Sequence, residues 1–84
     1  MTVITLVHAL GAIRAHKTYR GTKSAMKDLF PFLRKIRNQY NEVHVSADAY
    51  IENNGEWTLL DHAYITQHGE ERTWEDDETR QIHP

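Results

Sequence analysis

The chain has no cysteine, and among its 84 residues only two are proline and four are glycine. Lack of cysteine excludes a disulfide framework and the common thiolate zinc sites, and it suits a reducing cytoplasm. So few prolines and glycines leave no room for a flexible linker, and neither an internal repeat nor a low-complexity tract interrupts the sequence. Long apolar runs are missing too. The opening "MTVITLVHAL" is the most hydrophobic stretch, yet it is far too short to cross a bilayer and has no leading basic segment. Also lacking are a nucleophile elbow, a phosphate-cradling glycine loop, a dinucleotide fingerprint and a zinc-protease motif. These absences point to a cytoplasmic, non-enzymatic protein without cofactor or metal, with residues 1–84 forming one small domain and residues 75–84 a loose acidic tail.

Acidic residues are scarce in one half only. Through residue 40, Asp28 stands alone against Arg14, Lys17, Arg20, Lys23, Lys27, Arg34, Lys35 and Arg37. From residue 41 onward, Arg72 and Arg80 face eleven carboxylates, so a formal net charge of −2 conceals two opposed blocks. Such asymmetry implies an electrostatic partner, either outside the molecule or in its own other half.

Periodicity sets the expected elements. "VITLV", Val3 to Val7, is β-branched and almost continuously apolar, the signature of a strand at the centre of a sheet. Gly11 marks either a bulge or a hairpin returning through residues 10–20. Met26, Leu29, Leu33, Ile36 and Tyr40 recur at helical steps and predict a helix from Lys23 to Tyr40, N-capped by Thr22 or Ser24. Pro31 kinks that helix or divides it by a short turn, and Asn38 and Asn41 are candidate stops. Next, Val43, Val45, Ala47, Ala49 and Ile51 alternate with polar residues as a half-buried strand.

"NNG" then signals a hairpin. A two-residue loop at Asn54-Gly55 would set Asp48 opposite Asp61 and bury Thr58 and His62. A three-residue loop, Asn53 to Gly55, pairs Ile51 with Trp57, Ala49 with Leu59, Val45 with Ala63 and Val43 with Ile65. The second gathers apolar side chains on one face and is the expected register, although it leaves Asp61 on that face opposite Ala47. Gly69 turns the chain toward a short strand at "ERTW". The fold class is therefore α+β: an antiparallel sheet with one main amphipathic helix packed on one face.

Three groups carry candidate chemistry. His44, Asp48 and His62 share the open face of the hairpin, but their spacing is no metal signature, and a solvated polar face is the expected reading. Lys23, Lys27, Arg34 and Arg37 lie along one helix flank, a phosphate-binding pattern with no recognised nucleic-acid motif to support it. Glu70, Glu71, Glu75, Asp76 and Asp77 surround Trp74, and an aromatic within a charged run is a familiar anchor at protein interfaces. The acidic set leads as a partner-binding surface because an amphipathic helix already accounts for exposed cations.

The helix "AMKDLFPFLRKIRNQY", the hairpin "AYIENNGEWTLL" and the charge-segregated composition together resemble the small inhibitors of phages and other mobile elements, anti-CRISPR proteins among them. That resemblance implies stoichiometric binding to a larger protein or nucleoprotein complex, in a host cytoplasm. The alternative is a small nucleic-acid-binding regulator whose acidic end shields its basic helix. A domain this size also gains support from self-association, so a homodimer belongs among the expected partners.

Overall fold

A computed structural model describes residues 1–74. Among them are β1 (Thr2–Ala9), β2 (Ala12–Tyr19), α1 (Thr22–Lys27), α2 (Leu29–Gln39), β3 (Val45–Asn53), β4 (Glu56–Ile65) and β5 (Glu71–Thr73). The strands form one antiparallel sheet in the order β2-β1-β3-β4-β5. β1 and β2 form a hairpin, and α1 and α2 then cross one face of the sheet before the chain re-enters as β3 beside β1. The α+β expectation holds, with β1 inside the sheet as its apolar run requires.

Residues 10–20 resolve as the returning strand of that hairpin. Leu10 and Gly11 both take positive φ, 52° and 78°, which matches the twist of a two-residue connection. The β1–β2 register shifts between Val7 and His8, so Gly11 serves the turn and the irregularity lies beyond it.

Helix formation departs from the expected single span. α1 ends at Lys27 and α2 begins at Leu29, with Asp28 between them at φ −96°, ψ 0°. Pro31 explains the position of the break, because a proline ring clashes with the carbonyl four residues earlier, here that of Lys27. Pro31 itself falls in the first turn of α2, where backbone N–H groups have no intrahelical acceptor and a missing donor costs little. The N-cap of α1 is Gly21 and makes no side-chain capping bond, in place of the expected Thr22 or Ser24. Asn38 lies within α2, whereas Asn41 takes φ 59° and the Glu42 N–H donates back to the Arg37 carbonyl at 2.9 Å, closing the helix C-terminus.

The β3–β4 hairpin corrects the expected register. Asn54 and Gly55 form a two-residue turn, both at positive φ, which pairs Asn53 with Glu56 and Glu52 with Trp57. Carried through unbroken, that register would turn Ala63 and Ile65 away from the helices. One inserted residue prevents this. The register shifts between Ala49 and Tyr50, leaving Leu60 as the extra residue, so that Ala49 faces Asp61, Ala47 faces Ala63 and Val45 faces Ile65. The bulge thus reconciles the turn preferred by Asn-Gly with the burial preferred by Ala63 and Ile65. Trp57 and Leu59 consequently share the open face with Tyr50, rather than joining the core as expected. Asp61 sits opposite Ala49, not Ala47, and its carboxylate accepts the His62 backbone N–H at 2.8 Å.

The core lies between the sheet and the two helices. Val7, Ala9, Val45, Ala47, Ala63 and Ile65 pack with Leu29, Phe32, Leu33 and Ile36, while Val3 and Ala49 pack with Ala25. Alanines at the middle of β3 and β4 leave space that the larger side chains of α2 fill. Thr5 is fully buried in the same layer, and its hydroxyl has no hydrogen-bond partner. A buried polar group left unpaired costs about 1–3 kcal/mol, whereas valine has nearly the same shape and no such group. Thr5→Val should therefore raise the urea midpoint by the equivalent of about 1 kcal/mol with an unchanged m-value. An unchanged or lower midpoint would contradict this account of Thr5.

Candidate functional site

The two faces of the sheet carry different chemistry, because period-2 alternation sends successive side chains to opposite sides. On the helix side, charged residues from the two sequence halves meet. The Arg34 guanidinium donates twice to the Glu71 carboxylate, at 2.5 and 2.8 Å across 37 residues of sequence, and so ties α2 to β5. Arg37 donates to the Gln67 carbonyl at 3.1 Å, while its Nε is buried without a partner. Two of the four candidate cations are therefore occupied in holding the β4–β5 connection. The other two, Lys23 and Lys27, are exposed on α1 and have no ion pair among the described residues. The expected single flank is thus two groups with different employment.

The acidic set divides similarly. Glu71 is held by Arg34, and Glu70 accepts from Arg72. Trp74 is 44% exposed. Glu75, Asp76 and Asp77 lie outside the described residues.

A second charged cluster forms at the helix break. Asp28 accepts the Lys17 ammonium at 2.7 Å and the Tyr19 hydroxyl at 2.6 Å, bridging β2 to the α1–α2 junction. These hydrogen bonds, Lys17's first, hold the Asp28 carboxyl below its ordinary range, and the positive charges of Lys17 and Lys35 act in the same direction. Burial, and then the hydrogen bond to Asp28, push the Tyr19 hydroxyl well above the usual phenol range. Glu71 is lowered likewise, chiefly by its hydrogen bonds from Arg34. The Lys17 ammonium also lies 5.5 Å from the centroids of Tyr19 and Phe32.

The open side is aromatic and rich in imidazole. His62 Nδ1 lies 2.6 Å from one Asp48 oxygen, and His8 Nε2 lies 3.6 Å from the other. β1, β3 and β4 thereby contribute one residue each to a His–Asp–His row across the centre of the sheet. Next to it His44 stacks on Tyr64 at 5.6 Å, and Tyr50 meets Trp57 at the same centroid separation. His16 pairs with Leu6 and Ile13 with His8, which sets both on this face as well. The expected sharing of a face by His44, Asp48 and His62 is correct, but they do not converge: His62 bonds Asp48 directly while His44 packs on tyrosine. No group of three or more His, Cys, Asp or Glu able to hold a metal ion occurs among the described residues.

Sequence reasoning missed His8, His16, Trp57 and Leu59 as members of this face. Alternation along β1 would have signalled His8 once the hairpin was chosen. Trp57 and Leu59 are set on this face by the two-residue Asn54-Gly55 turn, one residue out of register with the expected three-residue loop.

No helix among the described residues is long and apolar enough to cross a membrane. Comparison with family models, with curated proteins and with solved structures finds no match to this chain.

The Asp28 cluster has a pH signature. Its carboxyl titrates lower in the folded than in the unfolded chain, so its contribution is present above the ordinary carboxylate range, roughly pH 4, and is lost as pH falls through the depressed folded value. Glu71 shares that sign. Asp28→Asn should therefore lower stability at neutral pH and flatten its fall on acidification below about pH 4, as read by urea midpoints across pH. A variant with the same acid slope as the parent would refute this role.

Proposed function

We propose that the protein is a non-enzymatic binding protein of the cytoplasm that docks by charge complementarity on a larger macromolecular complex and obstructs or regulates it, as the small mobile-element inhibitors it resembles do. The unequal use of charge supports this reading. Arg34, Arg37, Glu70 and Glu71 serve contacts within the fold, so they contribute less to docking than their exposure in sequence implies. Trp74 remains 44% exposed where the chain enters its most acidic stretch. An indole at the root of Glu75, Asp76 and Asp77 combines an apolar anchor with carboxylates, a pairing suited to a basic protein groove.

A second reading has its own support. Lys23 and Lys27 are exposed on α1 without ion-pair partners among the described residues, as a phosphate-binding surface requires. Nucleic acid is therefore the competing partner.

Affinity capture from host extract, run beside mixed DNA and RNA binding over a salt series, separates the two. The leading reading expects a protein partner whose capture falls at least about tenfold when Glu75, Asp76 and Asp77 are replaced by lysine, with no nucleic-acid binding at low salt. Nucleic-acid binding that weakens steeply with salt and is lost in K23E/K27E would instead establish the second.

A further inference from the structure

We propose that the open face of the sheet is a self-association surface, occupied by the same face of a second copy of this chain, and that acidification dissociates the pair. Both helices lie on the other side, so no described element covers this face. It nevertheless carries Ile4, Leu6, Ile13, Tyr50, Trp57 and Leu59. Ile13 and Trp57 are more than half exposed, at 54% and 51%. Large apolar side chains gathered on one face, rather than scattered singly, mark an interaction surface.

Size and charge favour an identical copy over a foreign partner. The five strands hold 8, 8, 9, 10 and 3 residues, which at about 3.3 Å per residue and about 4.8 Å spacing cover roughly 600 Å². That falls at the lower end of the roughly 600–1,000 Å² each partner contributes to a standard interface. Sheets packed face to face sit ~10 Å apart and interlock side chains of this kind, giving a four-layer sandwich with the helices outside. The helix side, bearing Lys23, Lys27 and Lys35, would repel its own copy. The open side carries fewer charges: Asp48, which lies against His62 and His8, Glu52 at the far end of β3, and Arg72 on β5, which is paired with Glu70.

The histidines supply the acid sensitivity. His8 on β1, His16 on β2, His44 before β3 and His62 on β4 all belong to this face, among Tyr50, Tyr64, Asp48, Glu52 and Arg72. Asp48 lies within ion-pair distance of His8 and His62, whereas His16 and His44 have no carboxylate that close among the described residues. Protonated imidazoles at those two positions would confront like charges on the facing copy, in a contact that excludes water.

Sedimentation equilibrium on the full chain tests this. At about pH 7.5 and roughly 100 µM the parent should have twice the chain mass, and at about pH 5.5 its dissociation constant should rise at least about tenfold. Trp57→Glu and Ile13→Glu should be monomeric at both pH values with unchanged far-ultraviolet circular dichroism, because both side chains are largely exposed within one copy. The helix-side change Lys27→Glu should leave association intact. A parent that is monomeric throughout, a dimer unaffected by either open-face variant, or one equally tight at both pH values would overturn the proposal.

Discussion

Two helices cannot cover two sides of a five-stranded sheet, and the rest of the described residues are arranged around that shortage. Alternation along each strand gives two sets of side chains, but among the described residues helical cover exists for only one of them. The buried set is small and mostly apolar: valine, alanine, Ile65 and the lone Thr5 on the strands, with Ala25, Leu29, Phe32, Leu33 and Ile36 above them. Where β4 would have broken the pattern, one extra residue at Leu60 rotates the strand back into register. On the turn side of that residue, the Asn54-Gly55 register keeps Trp57 and Leu59 on the uncovered side. The bulge thus lets one strand supply Ala63 and Ile65 to the core and Trp57 and Leu59 to the open face.

Charge works across the layers. The basic first half and acidic second half are joined by Arg34 with Glu71, a bidentate contact that seats β5 under α2. Within the first half, Asp28 performs a similar service for β2, gathering Lys17 and Tyr19 at the point where Pro31 forces the helix to break. These contacts join edge strands to a thin helical layer, and only one of them, Arg34 with Glu71, pairs the two charged blocks of the sequence. Lys23 and Lys27 on α1 and Lys35 on α2 stay exposed without an ion pair among the described residues.

Period and composition made the scaffold legible. The central strand, the Asn54-Gly55 turn region, the Asn41 stop and the short strand at "ERTW" all follow from local preferences acting within a few residues. Register was harder to read, because two local signals disagreed: Asn-Gly asked for a two-residue turn, and Ala63 with Ile65 asked for burial. Choosing one register for the whole hairpin satisfied only the second, since nothing near Leu60 advertises an insertion. The helix break was anticipated as an alternative at Pro31, but its location needed the four-residue reach of the proline clash. The His8–Asp48–His62 row joins residues 40 and 14 positions apart, and such a cluster becomes visible only when β1 is set beside β3.

The central claim is that the uncovered side is completed by an identical side. Amide spectra of isotopically labelled protein, recorded through a dilution series at neutral pH, examine it residue by residue. The account predicts concentration-dependent shifts confined to the strands, strongest around Leu6, Ile13, Tyr50 and Trp57, with α1 and α2 unmoved. Shifts centred on the helices, or spectra that do not change with concentration, would contradict it.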